Sequence, residues 1–71
     1  MIYLATIETR TETGRERWNV CAGDVFGCSR NFADAKQYND VAEAEKAAKQ
    51  AAAQIFKEAE QPRAYVRAYT I

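Results

Sequence analysis

Val41, Ala44, Ala48, Ala51, Ala52, Ile55, Phe56 and Ala59 recur at intervals of three and four residues, a spacing that predicts an amphipathic helix over residues 41–60. Asp40 and Glu43 fit a capping box at its start, each side chain able to satisfy a free amide of the first turn. Glu45 and Lys49 fit an i,i+4 ion pair in the favourable orientation. Pro62 is expected to stop the helix, with Gln61 before it pushed out of the helical region. The stripe is uneven: its first three turns are alanine, whereas Ile55 and Phe56 are bulky. One end of the helix can therefore approach its partner closely while the other must fill a wider gap. A single such helix, lying across a twisted sheet, meets both demands.

The remaining sequence supplies that sheet. Ile2 to Arg10 is rich in β-branched and aromatic residues and apolar on both alternating sets, as expected of a central strand. Thr11 to Gly14 read as a polar turn. Arg15 to Ala22 then alternate, with Trp18, Val20 and Ala22 on one face. Gly23-Asp24-Val25-Phe26-Gly27 reads as a second turn, and Ser29 to Tyr38 as a weaker, polar third strand at an edge. Ala64 to Ile71 is the last strand, with Ala64, Val66 and Ala68 on one face and Tyr65, Arg67, Tyr69 and Ile71 on the other. The expected fold is α+β: one domain, residues 1–71, in the order β-β-β-α-β, with one helix on one face of a mainly antiparallel sheet. A right-handed helical crossover would lay the last strand beside the first and parallel to it, giving the strand order 4-1-2-3.

Ten basic and ten acidic residues cancel, so the bulk positive charge of a duplex-binding domain is missing. The opening Met1 to Ala5 has no basic region before it meets polar residues, and no apolar run reaches the ~18–20 residues that span a bilayer. A cytoplasmic location is the expectation. Cys21 and Cys28 are the only cysteines and histidine is absent, so four zinc ligands of the usual kinds are not to be had. The two thiols are read as reduced, at least one serving as a small buried hydrophobe, although a turn over residues 23–27 could also bring them within disulfide range.

Catalysis is not expected. The usual neutral-pH base is missing, neither cysteine opens a predicted helix, and Asp24, Asp34 and Asp40 follow no pairing pattern. There is also no glycine-rich phosphate loop, and no cofactor is anticipated. Two surfaces carry the sharper expectations. The first is the sheet face away from the helix, where Tyr65, Arg67 and Tyr69, joined by Tyr3 if the first strand turns that way, would form a binding face. The other reading of the same residues is plain cover for an open sheet, or the contact of a homodimer. The second surface is the 23–27 turn, where Val25 and Phe26 could anchor a partner; the favoured alternative is that Phe26 folds back to plug a thin core. The mixed charges of the outer helix face, such as Lys46, Gln50 and Glu58, read as a solvated surface.

In its length, its lack of a catalytic set and its Tyr38-to-Glu45 strand-to-helix junction, the chain resembles the small α+β proteins encoded by phages, of the anti-CRISPR kind. That resemblance implies a stoichiometric inhibitor occupying a surface of a CRISPR effector complex in the host cytoplasm. Gly27-Cys28 followed by the Ala42-to-Ala48 helix start is also similar to HicB-type antitoxins, whose fold is likewise β-β-β-α-β. Here no proline-containing stretch precedes the Gly-Cys pair, and the likeness implies fold alone. The sequence thus leads to a non-enzymatic protein-binding module, with nucleic-acid binding through the same sheet face, or a structural homodimer, as the alternatives.

Overall fold

The computed structural model describes residues 1–70. Four strands, β1 (Ile2–Thr11), β2 (Gly14–Val20), β3 (Cys28–Ser29) and β4 (Arg63–Tyr69), form one sheet in the order β3-β2-β1-β4, and α1 (Val41–Gln54) packs across one face. The expected α+β class, strand order and central position of β1 are all present. β1 and β2 form a hairpin closed by the pair Thr11↔Gly14. Gly14 has φ +141°, a region that costs a glycine little because it has no Cβ.

The orientation of β4 differs from the expectation: it runs antiparallel to β1, with Ile2 opposite Tyr69 and Glu8 opposite Arg63. The cause lies in the third strand. Residues 29–38 do not continue as a strand, because local side-chain hydrogen bonds compete with the ladder. Ser29 Oγ accepts from the Asn31 amide at 3.0 Å and donates to Asp34 Oδ2 at 3.1 Å, and Phe32–Asp34 form a 3-10 turn. The chain then returns to the starting end of β1, where Tyr3 and Tyr38 exchange backbone hydrogen bonds of 2.8 and 2.9 Å. One sheet traverse is lost, so the helix begins at the opposite end from that expected and β4 enters reversed.

α1 begins as anticipated at Asp40, whose carboxylate accepts from the Ala42 amide at 3.0 Å; the cap is this bond, not a reciprocal box with Glu43. Glu45 and Lys49 pair at 3.0 Å. Ala44, Ala47, Ala48 and Ala51 are buried against the sheet. The helix ends at Gln54, well before Pro62. Phe56 turns down onto Trp18, ring centroids 5.7 Å apart, so it fills the wider gap that the stripe implied. Lys57 is then extended, and its amide donates to Glu60 Oε1 at 2.9 Å to start a separate 3-10 turn over Glu58–Glu60. Val41 and Ile55, expected in the buried stripe, are exposed instead.

The core beneath the helix is Ala5, Ile7 and Val20 with the helix alanines, flanked by Tyr3, Trp18, Cys28, Ala64 and Val66. Tyr38 closes the β2 side of this core. Burial raises its phenol pKa, and the carboxylate of Glu43 adds to the shift. Ala22, expected on the Trp18 face, lies beyond β2 and is exposed. Ile71 lies outside the described residues.

Candidate binding face

β-strand side chains alternate between faces, so the register decides what the face away from the helix displays. Core packing fixes Tyr3, Ala5 and Ile7 of β1, Trp18 and Val20 of β2, and Ala64 and Val66 of β4 on the helix side. Leu4, Thr6, Glu8 and Arg10, together with Arg15, Arg17, Asn19 and alternate β4 residues from Arg63 to Tyr69, occupy the other side. Tyr65, Arg67 and Tyr69 therefore share the face expected of them. Tyr3 does not join them: it faces the helix, because Ala5 and Ile7 on its own side meet the alanine stripe.

That face gathers all six arginines of a chain with no net charge. Arg17 and Arg63 lie opposite Glu8 on its two neighbouring strands, and Arg10 lies opposite Arg15. Arg30, just beyond β3, borders the same shallow hollow as Arg17, Asn19, Phe32 and Arg67. Glu8 is the one carboxylate within the strand positions of this face. Arg15 approaches it at 3.6 Å and the Tyr65 hydroxyl donates to it at 3.1 Å. Glu16, at the β2 edge, reaches Arg30 at 3.8 Å. Among the described residues Arg17 and Arg63 have no ion-pair partner within 4.0 Å, and both are exposed. The four lysines lie elsewhere: Lys36 before the helix, Lys46 and Lys49 on it and Lys57 after it, with Asp40, Glu43, Glu45, Glu58 and Glu60 in the same 40–60 stretch. Neutrality thus conceals a strongly polarised molecule.

The floor of the face is buried and organised. Leu4 and Thr6 are fully inaccessible and Asn19 is 3% exposed. Arg67, half-buried, donates from Nε to Thr6 Oγ1 at 3.1 Å and from Nη2 to Asn19 Oδ1, while its guanidinium lies 5.6 Å from the centre of the Tyr69 ring. Phe32 meets Tyr69 edge to face at 5.4 Å, with half its own surface exposed. Two fixed aromatic rings thus wall a field of guanidiniums, one of them held by three neighbours.

The second expected surface, the turn at Val25 and Phe26, is separate from this face. Val25 is 81% and Phe26 41% exposed, and Phe26 does not fold back to plug the core. The turn is short-tethered: the Cys21 amide donates to the Gly27 carbonyl at 2.9 Å. Both cysteines are free. Burial, then the proximity of Cys21, pushes the Cys28 thiol up to about 11, and burial followed by Asp34 raises Cys21.

Sequence reasoning singled out Arg67 and missed Arg10, Arg15, Arg17, Arg30 and Arg63. The Arg15-Glu16-Arg17 and Arg63-to-Arg67 spacings were a usable signal, since period-two arginines share a face. Among the described residues no three His, Cys, Asp or Glu side chains gather where they could hold an ion, and no helix is long and apolar enough to cross a membrane. No family model, curated protein or solved structure matches this chain.

Proposed function

We propose that this chain is a small non-catalytic binding module that works by occupying an acidic surface of a protein partner, with the arginine face as its working surface. The observation behind this is the collection of all six arginines around one face of a neutral chain, with Glu8 the one carboxylate in the strand positions of that face and Glu16 reaching it only at Arg30. Guanidinium groups present a planar fork that matches a carboxylate bidentately, and they shed water more readily than ammonium groups. Like charges gathered on one face raise the energy of the free protein, so an anionic partner relieves a repulsion as well as gaining contacts. The ordered Arg67–Tyr69–Phe32 row supplies rigid contact area of the residue types that dominate binding energy. Occupation of this kind inhibits by occlusion, in line with the resemblance to phage-encoded inhibitors of host defence complexes.

The pairing of guanidiniums with the half-exposed Phe32 favours one other reading, a single-stranded nucleic acid whose bases stack while its phosphates meet the arginines. The two separate by affinity capture from cell lysate with and without nuclease, comparing the native chain with Arg17→Glu/Arg63→Glu. A protein partner retained through nuclease by the native chain and lost by the variant is the expected result. Partners that vanish with nuclease would replace this reading with the nucleic-acid one, and a partner held equally by the variant would remove the arginine face from the account.

A further inference from the structure

The two edges of the sheet are unlike. β3 is two residues long and its chain turns away at once, so that edge is blunted. β4 is seven residues long and, among the described residues, pairs only with β1. Its free backbone groups follow from the ladder. Tyr3 points its N–H and C=O at Tyr38, on the β2 side, so odd-numbered residues of β1 bond towards β2 and even-numbered ones towards β4. Tyr65 and Arg67, opposite Thr6 and Leu4, therefore bond β1. The N–H and C=O groups of Ala64, Val66 and Ala68 point outward, six groups in one row.

We infer that this row pairs with the same row of a second copy of the chain, antiparallel and centred on Val66, to form a homodimer with a continuous eight-stranded sheet. In that register Val66 meets Val66 of the second copy and Ala64 meets Ala68, so all six outward groups are bonded. On the arginine face Arg67 meets Tyr65 and Arg63 meets Tyr69, each at the close, non-bonded pair positions. No arginine faces an arginine across the seam, and Arg63, which has no ion-pair partner among the described residues, lies opposite the Tyr69 ring of the second copy. The segment Arg63-Ala64-Tyr65-Val66-Arg67-Ala68-Tyr69 is in this sense complementary to itself.

An independent feature falls on the same edge. The helix lies over β4 and β1. Its Glu43 flank is the one near Tyr38, on the β2 side. Val41 and Ala52 lie on the opposite flank by the 100° spacing of helical residues, with Ile55 at its end, above the free β4 edge. Val41 is 48% and Ile55 38% exposed, two of the few large apolar side chains left in solvent. The two-fold axis through Val66 sets the two helices side by side and antiparallel, about 10 Å apart if each sits between its β1 and β4 at a strand spacing of ~4.8 Å, a normal helix-packing distance. Val41 of one copy then faces the Ile55 end of the other. The dimer also joins two arginine faces into one. It does not depend on what that face binds.

Light scattering coupled to size exclusion, with hydrogen exchange read at single amides, tests this. The expected mass is twice the 8.0 kDa of the chain, with the amides of Ala64, Val66 and Ala68 protected. Ala68→Pro removes one outward N–H and leaves the β1 ladder intact; it should give a monomer with unchanged circular dichroism and with the Ala64 and Val66 amides exchanging freely. Ile55→Glu, on an exposed site outside the ladder, should weaken the dimer without touching the sheet. A native chain that stays monomeric as concentration is raised, or a dimer in which those three amides exchange freely, would overturn the inference.

Discussion

Arg67 is the one arginine of the face whose removal should be felt by the fold itself. Its Nε and Nη2 groups satisfy Thr6 Oγ1 and Asn19 Oδ1, both on residues with almost no exposure, and its alkyl stem lies beside Leu4 in the register. Replacing it with methionine keeps most of the stem and removes both charge-assisted bonds. A buried acceptor that loses a charged donor costs about 1–3 kcal/mol, and water entering the shallow hollow recovers part of that, so about 2 kcal/mol is expected. Alanine removes the stem too and should cost about 3 kcal/mol. At ~0.05–0.15 kcal/mol per residue the whole domain holds only about 4–10 kcal/mol. Arg67→Met should therefore lower Tm by about 8–16 °C, at roughly 4–8 °C per kcal/mol for a domain of this size. A thermal or urea melt followed by circular dichroism measures it. The double substitution Arg67→Met/Asn19→Leu removes the donor together with one of its two acceptors, leaving only Thr6 Oγ1 without it, and should cost less than the sum of the two single changes. A Tm within about 2 °C of the native value for Arg67→Met, or strict additivity in the double variant, would refute the view that Arg67 is built into the sheet and not merely resting on it.

Asp40→Ala removes the acceptor of the Ala42 amide and should cost about 1 kcal/mol in a denaturant melt, while Asp40→Asn should cost only a few tenths. Ala48→Leu forces a larger side chain between helix and sheet at a position with no exposure, and a loss of about 1–3 kcal/mol is expected; Ala53→Leu on the exposed side should stay within about 0.5 kcal/mol. With the Cys28 thiol near 11 its neutral form dominates until pH rises through that value, so about a thousandth is thiolate at pH 8. Alkylation of Cys28, followed by mass spectrometry, should accelerate about tenfold per pH unit between pH 8 and 10; labelling at the rate of a free cysteine at pH 8 would contradict this.

The helix was legible because its signal is local: spacing, cap and ion pair all lie within a few residues of one another. The central place of β1 was legible because it is apolar on both alternating sets. What failed was the route between elements. Ser29, Asn31 and Asp34 bond one another where a strand pattern would have required the ladder, and the resulting 3-10 turn sends the chain back to Tyr3. One missing traverse then reverses β4, an outcome that no window around β4 could reveal. The early end of the helix is of the same kind, since Phe56 leaves the helical path for Trp18, a partner thirty-eight positions away. Tyr65, Arg67 and Tyr69 could be placed on one face by period two alone. The arginine field could not be assembled in that way: Arg17 and Arg63 become neighbours of Glu8 only through two long-range registers.

The working surface is best tested by residue-selective footprinting of the complex with the captured partner. Arginines are modified with phenylglyoxal and lysines by acetylation, in the free chain and in the complex, and read by mass spectrometry. Arg17 and Arg63 should be modified in the free chain and protected in the complex, with Lys46 and Lys49 unchanged. Protection of Lys46 and Lys49 with Arg17 and Arg63 still reactive would place the partner on the helix side and contradict the arginine face as the working surface.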